Sequence, residues 1–211
     1  IGSKSQLKNK NYMKNKPTLN FEPAAINEVI AQRRTIKPEY YTGEVIPRDI
    51  ILQLLENANW APTHGKTEPW RFTIFAGHAK TELGEVLGSF YKENTAAEKF
   101  NQTKYLKYAE RSEKASHIIA IGMKRKPNIR IPLIEDIEAV ACAVQNLHLS
   151  ATAYGIAGYW HSGSMTYQQA AKDYLNLAEE DRCLGFFYLG YSANAWPVGK
   201  KQPIADKIEW R

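Results

Sequence analysis

The sequence predicts an α+β fold, and three observations predict it. Apolar residues recur at helical spacing in about five or six segments. Roughly four short segments alternate or run apolar in the manner of strands. The two kinds of element do not follow the regular strand–helix alternation of a doubly wound parallel sheet. A chain of 211 residues with 44% hydrophobic and 24% charged residues suits one soluble globular domain with one sizeable core. We divide it into a basic leader, residues 1–20, expected to be flexible, and a single domain, residues 21–211.

Taken in order, residues 21–33 read as a helix with Ala25, Ile26, Val29 and Ile30 on one face. A loop punctuated by proline and glycine runs to Ile46, and Pro47 is placed to open the next helix. There Ile50, Ile51, Leu54, Leu55 and Ala58 form the stripe, and Pro62 ends it. Trp70 to Ala76 is rich in β-formers and reads as a strand. Residues 78–95 and 100–115 read as helices with polar faces, and His117 to Met123 as a short apolar strand. After Pro132 a long helix is expected from Ile134 to Tyr154, with Glu135, Asp136 and Glu138 near its positive N-terminus. Alanines occur nearly all round this helix, so it is expected to be buried on several faces, against a partner subunit among other elements. Gly155 and Gly158 are read as breaking it before Tyr159-Trp160. A helix near 166–176 and a strand from Cys183 to Tyr191 complete the order.

The formal charge of +6 is concentrated in the leader, where Lys4, Lys8, Lys10, Lys14 and Lys16 occur without an acid. Without those five lysines the remainder carries +1, so the pI reflects a tail and we expect no nucleic-acid partner. No apolar run approaches the roughly 20 residues of a membrane helix, and the opening residues lack a secretory h-region. Cys142 and Cys183 form no CxxC pair; both are expected to be buried thiols, in keeping with a cytoplasmic protein. No GxGxxG follows a strand, no P-loop or GxSxG occurs, and the five histidines lack metal-ligand spacing.

Three segments stand out from a plain core. Arg33-Arg34-Thr35 sets two guanidiniums and a hydroxyl side by side, which suits bidentate capture of a phosphate or a carbonyl-rich ring edge. The alternative is a solvated helix end balancing the helix dipole. Trp60 to Phe72 is an irregular loop between helix and strand carrying an imidazole (His64), an ammonium (Lys66) and two indoles; it serves a site or simply packs its tryptophans. Tyr159-Trp160-His161-Ser162-Gly163-Ser164 follows a helix broken by glycine, and glycine lets backbone approach a flat ligand; an ordinary edge strand with a hydroxyl-rich turn is the alternative.

Together these segments resemble the nitroreductase family. The order is Arg-Arg-Thr, a helix ending W-A-P before P-W-R-F, an alanine-rich helix with Gln145-Asn146-Leu147, then G-x-x-x-W-x-S-G. The later Gly185 to Tyr191 is similar to that family's G-F-x-Y-L-G strand, and the resemblance runs from about Ile26 to the C-terminus. It implies a central, mostly antiparallel sheet flanked by helices, in an intertwined homodimer holding FMN at the subunit interface. It also implies hydride transfer from NAD(P)H through the flavin to small electron-poor acceptors, nitroaromatics or quinones, by a ping-pong mechanism. The alternatives are a flavin-dependent reductase of one dedicated metabolite, or a non-catalytic flavin- or ligand-binding relative. By position, Arg33, Arg34 and Thr35 would contact FMN, Trp60 and His64 would reach it from the partner, and Trp160, His161 and Ser162 would lie along the ring. Ser150 to Gly155 correspond to a stretch that contacts NAD(P) in some relatives. No residue is required as a protein acid or base.

Two departures accompany the resemblance. His161 stands where relatives carry arginine, which replaces a permanent charge by one expected to titrate near neutral pH. Lys66 and Glu68 replace Asn and Gln of the commoner loop, and an ammonium near the flavin would favour its anionic reduced form.

Overall fold

The strand His117–Met123 is buried at all seven positions, which a strand achieves only where both faces of its sheet are covered. The computed structural model describes residues 21–127 and 130–211, so the expectation for the leader lies outside the described residues. Within them the helices are α1 (Pro23–Gln32), α2 (Arg48–Asn59), α3 (His78–Glu93), α4 (Gln102–Lys114), α5 (Leu133–Ala153) and α6 (Gln169–Tyr174). The strands are β1 (Trp70–Ala76), β2 (His117–Met123), β3 (Ala157–His161) and β4 (Arg182–Gly190). They form one sheet in the order β1-β2-β4-β3, and every pairing is antiparallel, so the mixed helix and strand content is α+β.

The period of two along each strand separates two cores. Ile119, Ile121, Phe187 and Leu189 face Leu54 of α2 and Val140, Val144 and Leu147 of α5. Ile118, Phe186 and Tyr188 face Leu83 and Leu87 of α3 and Tyr108 of α4. The sheet is therefore the middle of three layers. The chain breaks its longest helix at Gly155, which takes φ +69°; the Gly155 and Ile156 amides turn back to the carbonyls of Thr152 and Ala151, closing a Schellman cap.

Several expectations need correction. Gly158 does not break the helix but lies inside β3, paired with Leu189. The helix foreseen over 166–176 is only Gln169–Tyr174, because turns occupy the residues before it. Cys183 is buried but Cys142 is exposed, since α5 is covered on one side only. Its residues Glu138, Cys142 and Gln145, on successive turns, face outward. Helix α1 buries none of its residues, leaving Ile26 and Ile30 more than half exposed. Among the described residues no helix is long and apolar enough to cross a membrane.

Candidate functional site

Arg33 and Arg34 leave the end of α1, and Thr35 forms a parallel bridge with Gly158, adding this segment to the open edge of β3. The amide of Ile36 completes the junction by donating to the Gly158 carbonyl, 3.2 Å away. The two arginines are not equivalent. Arg34 donates to the carbonyls of Pro197, Ala31 and Arg33 at 3.0, 2.8 and 2.7 Å and lies against Gly199, so its guanidinium ties the C-terminal segment to α1. Among the described residues the Arg33 guanidinium has one hydrogen-bond contact, from Nη1 to His148 Nδ1 at 3.4 Å. The Thr35 residue is exposed.

His148, on α5, was not singled out by the sequence reading. Its Nε2 lies 3.0 Å from the Arg34 carbonyl, and its ring meets Phe187 edge-on, centroids 5.1 Å apart. Burial first, then the charge of Arg33, push its pKa down to about 4, against the opposing pull of the Arg34 carbonyl. The ring is neutral at pH 7. One nitrogen faces a carbonyl and the other a guanidinium, so the proton resides on Nε2 and Nδ1 accepts. Its only sequence signal was a polar residue within an apolar stripe.

In β3 the side chains alternate. Gly158 and Trp160 face the layer of Phe187 and His148, and a Cβ at Gly158 would lie 2.7 Å from the Phe187 ring and 2.9 Å from that of His148. Trp160 stays partly exposed at 38%, with its indole N–H donated to the Leu184 carbonyl at 2.9 Å. That reach requires Gly185, at φ +122°, where a Cβ would fall 2.8 Å from the indole nitrogen. Ser162 is exposed.

His161 points to the other face of the sheet. Its ring stacks on Tyr159 and lies within 6.4 Å, centroid to centroid, of Tyr108 and Tyr188, with Nδ1 buried and unpartnered. The expectation that it titrates near neutral pH is overturned: burial, then the charges of Arg111 and Lys104, push its pKa down to about 4.

The loop after α2 lies elsewhere. Trp60 is 79% exposed, and His64 Nδ1 meets Glu135 Oε2 at 2.5 Å, in the first turn of α5. Lys66, at φ +52°, offers its carbonyl to Lys126 and keeps its side chain outward. Asn57, just before the loop, donates to Ser150 and accepts from Asn146, both two residues from His148 and hence on the opposite side of α5. Glu135 precedes His148 by about 20 Å of helix axis at 1.5 Å per residue. One chain thus gathers Arg33, Arg34, Thr35, Trp160 and Ser162 along β3, but holds Trp60, His64 and Lys66 on the far side of α5. A cavity of about 1120 Å³ lined by Leu133, Ile137, Tyr167, Lys172 and Leu184, among others, adjoins Trp160 through Leu184, yet none of the nine foreseen residues lines it. Among the described residues no His, Cys, Asp and Glu cluster could hold a metal ion.

Comparison with known proteins follows the same outline. The model of the nitroreductase family matches residues 30–191. A Bacillus subtilis protein named "Putative NAD(P)H nitroreductase YfhC" is 27% identical over 186 residues, 88% of this chain and 93% of its own. The structure of a nitroreductase-like family protein from Bacillus cereus, 25% identical, superposes with a TM-score of 0.74 over 93% of this chain and 99% of that one. The fold is shared by the FMN-dependent nitroreductase NfnB of Mycobacterium smegmatis, solved with NADPH: TM-score 0.70, 18% identity, covering 90% of this chain and 99% of that one. With three motif segments in their expected order along the chain and the family match spanning them, the chain belongs to the nitroreductase family.

Proposed function

We propose that the protein is an FMN-dependent oxidoreductase that passes hydride from NAD(P)H to small electron-poor acceptors by a ping-pong cycle. The observation that carries the reading is the Thr35–Gly158 bridge, which sets Arg33 and Thr35 alongside Trp160 and Ser162 on one sheet edge. The donor set fits the cofactor: a guanidinium for the phosphate, two exposed hydroxyls for polar edges, and a part-exposed indole beside glycine-lined backbone for a flat ring. Bound FMN supplies the hydride chemistry, accepting from NAD(P)H and delivering to the acceptor. The chain's own residues bind and orient. Arg33 would hold the phosphate, Thr35 and Ser162 would donate to polar edges, and Trp160 would cover part of the ring. Arg34 fixes the segment that carries Arg33.

The reading includes a homodimer. Trp60, His64 and Lys66 lie across α5 from Arg33, so they would complete a site only on a second copy. The apolar face of α1 and the outward stripe of α5 offer the surface. A visible spectrum of the purified protein tests the function. A yellow protein, bleached by NAD(P)H without oxygen and recoloured by a nitroaromatic or quinone, is expected. A colourless protein that takes up no added FMN would overturn it.

A further inference from the structure

We propose that His148 is a positioning residue for the anion-binding arginine, holding Arg33 and the Arg34 carbonyl in one fixed arrangement through the two nitrogens of a single neutral ring. The inference rests on the reading that Arg33 meets the FMN phosphate, and it adds how that guanidinium is aimed. The ring donates from Nε2 to the Arg34 carbonyl at 3.0 Å and accepts at Nδ1 from Arg33 Nη1 at 3.4 Å. Carbonyl and guanidinium belong to adjacent residues, so one imidazole fixes both the backbone and the side chain of the segment.

The imidazole itself cannot drift. It is 94% buried, set edge-on against Phe187, and lies over Gly158, where any side chain would collide with both rings. Gly158 is in turn the bridge partner of Thr35. Ring, glycine and bridge therefore lock the arginine segment to β3, and the other N–H groups of the Arg33 guanidinium have no hydrogen-bond partner among the described residues. A protonated ring would lose the Nδ1 acceptor and set a second cation against Arg33, and burial holds the ring neutral. A guanidinium already oriented binds an anion without the entropic cost of ordering a long side chain.

The test is a double-mutant cycle read as FMN and riboflavin affinity on refolded, reconstituted full-length protein. His148→Phe keeps a buried ring and removes both hydrogen-bonding nitrogens. It should weaken FMN about tenfold and riboflavin far less, since only FMN carries the phosphate. Combined with Arg33→Ala it should add almost nothing, because both changes remove the same contact. His148→Gln, whose amide can donate to the carbonyl and accept from the guanidinium, should recover FMN affinity to within about threefold of wild type. Equal losses for FMN and riboflavin, or losses that add in the double variant, would make His148 a packing residue and overturn the inference. Unchanged FMN affinity in Arg33→Ala alone would overturn the phosphate-anchor reading itself, and the inference with it. If His148→Phe does not fold, nitrogen NMR of the wild-type ring decides: an Nε2–H tautomer unchanged between about pH 5.5 and 8 is expected, and an Nδ1–H or charged ring would overturn it.

Discussion

His161 lies with its ring stacked on that of Tyr159, centroids 5.6 Å and planes 29° apart, on the face of β3 turned away from Trp160. A histidine in that place cannot act as a neutral-pH charge beside a ring lying along Trp160. Reduction of bound flavin by NAD(P)H is therefore expected to show no His161-dependent step between about pH 6 and 8. Rapid-mixing kinetics on wild type and His161→Gln would check this, and a step lost only in the variant would refute it.

The same burial has a consequence for stability. The pKa values of His148 and His161 fall from 6.5 to about 4 on folding. Below about pH 6.5 the unfolded chain binds protons that the folded chain refuses, so stability falls as pH drops towards 4 and is unaffected above that window. Each histidine contributes at most about 1.4 kcal/mol per pH unit. The urea midpoint at pH 5.5 should lie below that at pH 7.5, with a smaller gap in His161→Gln. Equal midpoints in wild type would contradict the burial of both rings.

Arg33 and Arg34 are adjacent but should fail differently. Arg33→Ala is expected to weaken FMN by roughly tenfold or more and leave the melting temperature nearly unchanged. Arg34→Ala, which frees the Pro197 and Ala31 carbonyls, should cost about 1–2 kcal/mol of stability and lower Tm by several degrees. Thermal melts beside FMN titrations separate the two, and matching behaviour would show the division to be wrong.

Gly158→Ala should be costly for so small a change. The new methyl would sit 2.7 Å from a Phe187 ring with no room to move and 2.9 Å from His148. Overpacking of that kind typically costs about 1–3 kcal/mol, and here it would also push the Arg33 segment off β3. Loss of flavin together with the fall in Tm is expected; a variant as stable as wild type would mean that the Phe187 ring yields.

Light scattering should give about twice 24.0 kDa. Ile30→Lys, which sets a charge on the uncovered apolar face of α1, should shift the protein towards monomer and release flavin in the same step. A monomer that keeps its flavin would show that one chain suffices.

Periodicity and punctuation made the elements legible. β1 and β2 were read with the bounds they have, because their turns and β-formers leave no ambiguity. The Arg-Arg-Thr and Trp-His-Ser segments stood out because charged and aromatic residues collect there without a core to explain them. What the sequence hid was orientation. Adjacent Trp160 and His161 must point opposite ways in a strand, but which face meets the arginine segment and which meets the tyrosines depends on partners distant in sequence. His148 was hidden for the same reason, since its partners lie 114 and 115 residues away.

The sheet order carries a last consequence, for how the chain is made. Of the four described strands β4 is the last to leave a ribosome, yet it belongs between β2 and β3. Until residue 190 emerges, β2 has one edge unpaired and β3 lacks its partner strand. The pairing of β2 with β4 also spans a long loop, which slows its formation. Nascent chains stalled before residue 182 thus present an apolar strand, His117–Met123, with a bare edge, the arrangement most prone to pair with another copy.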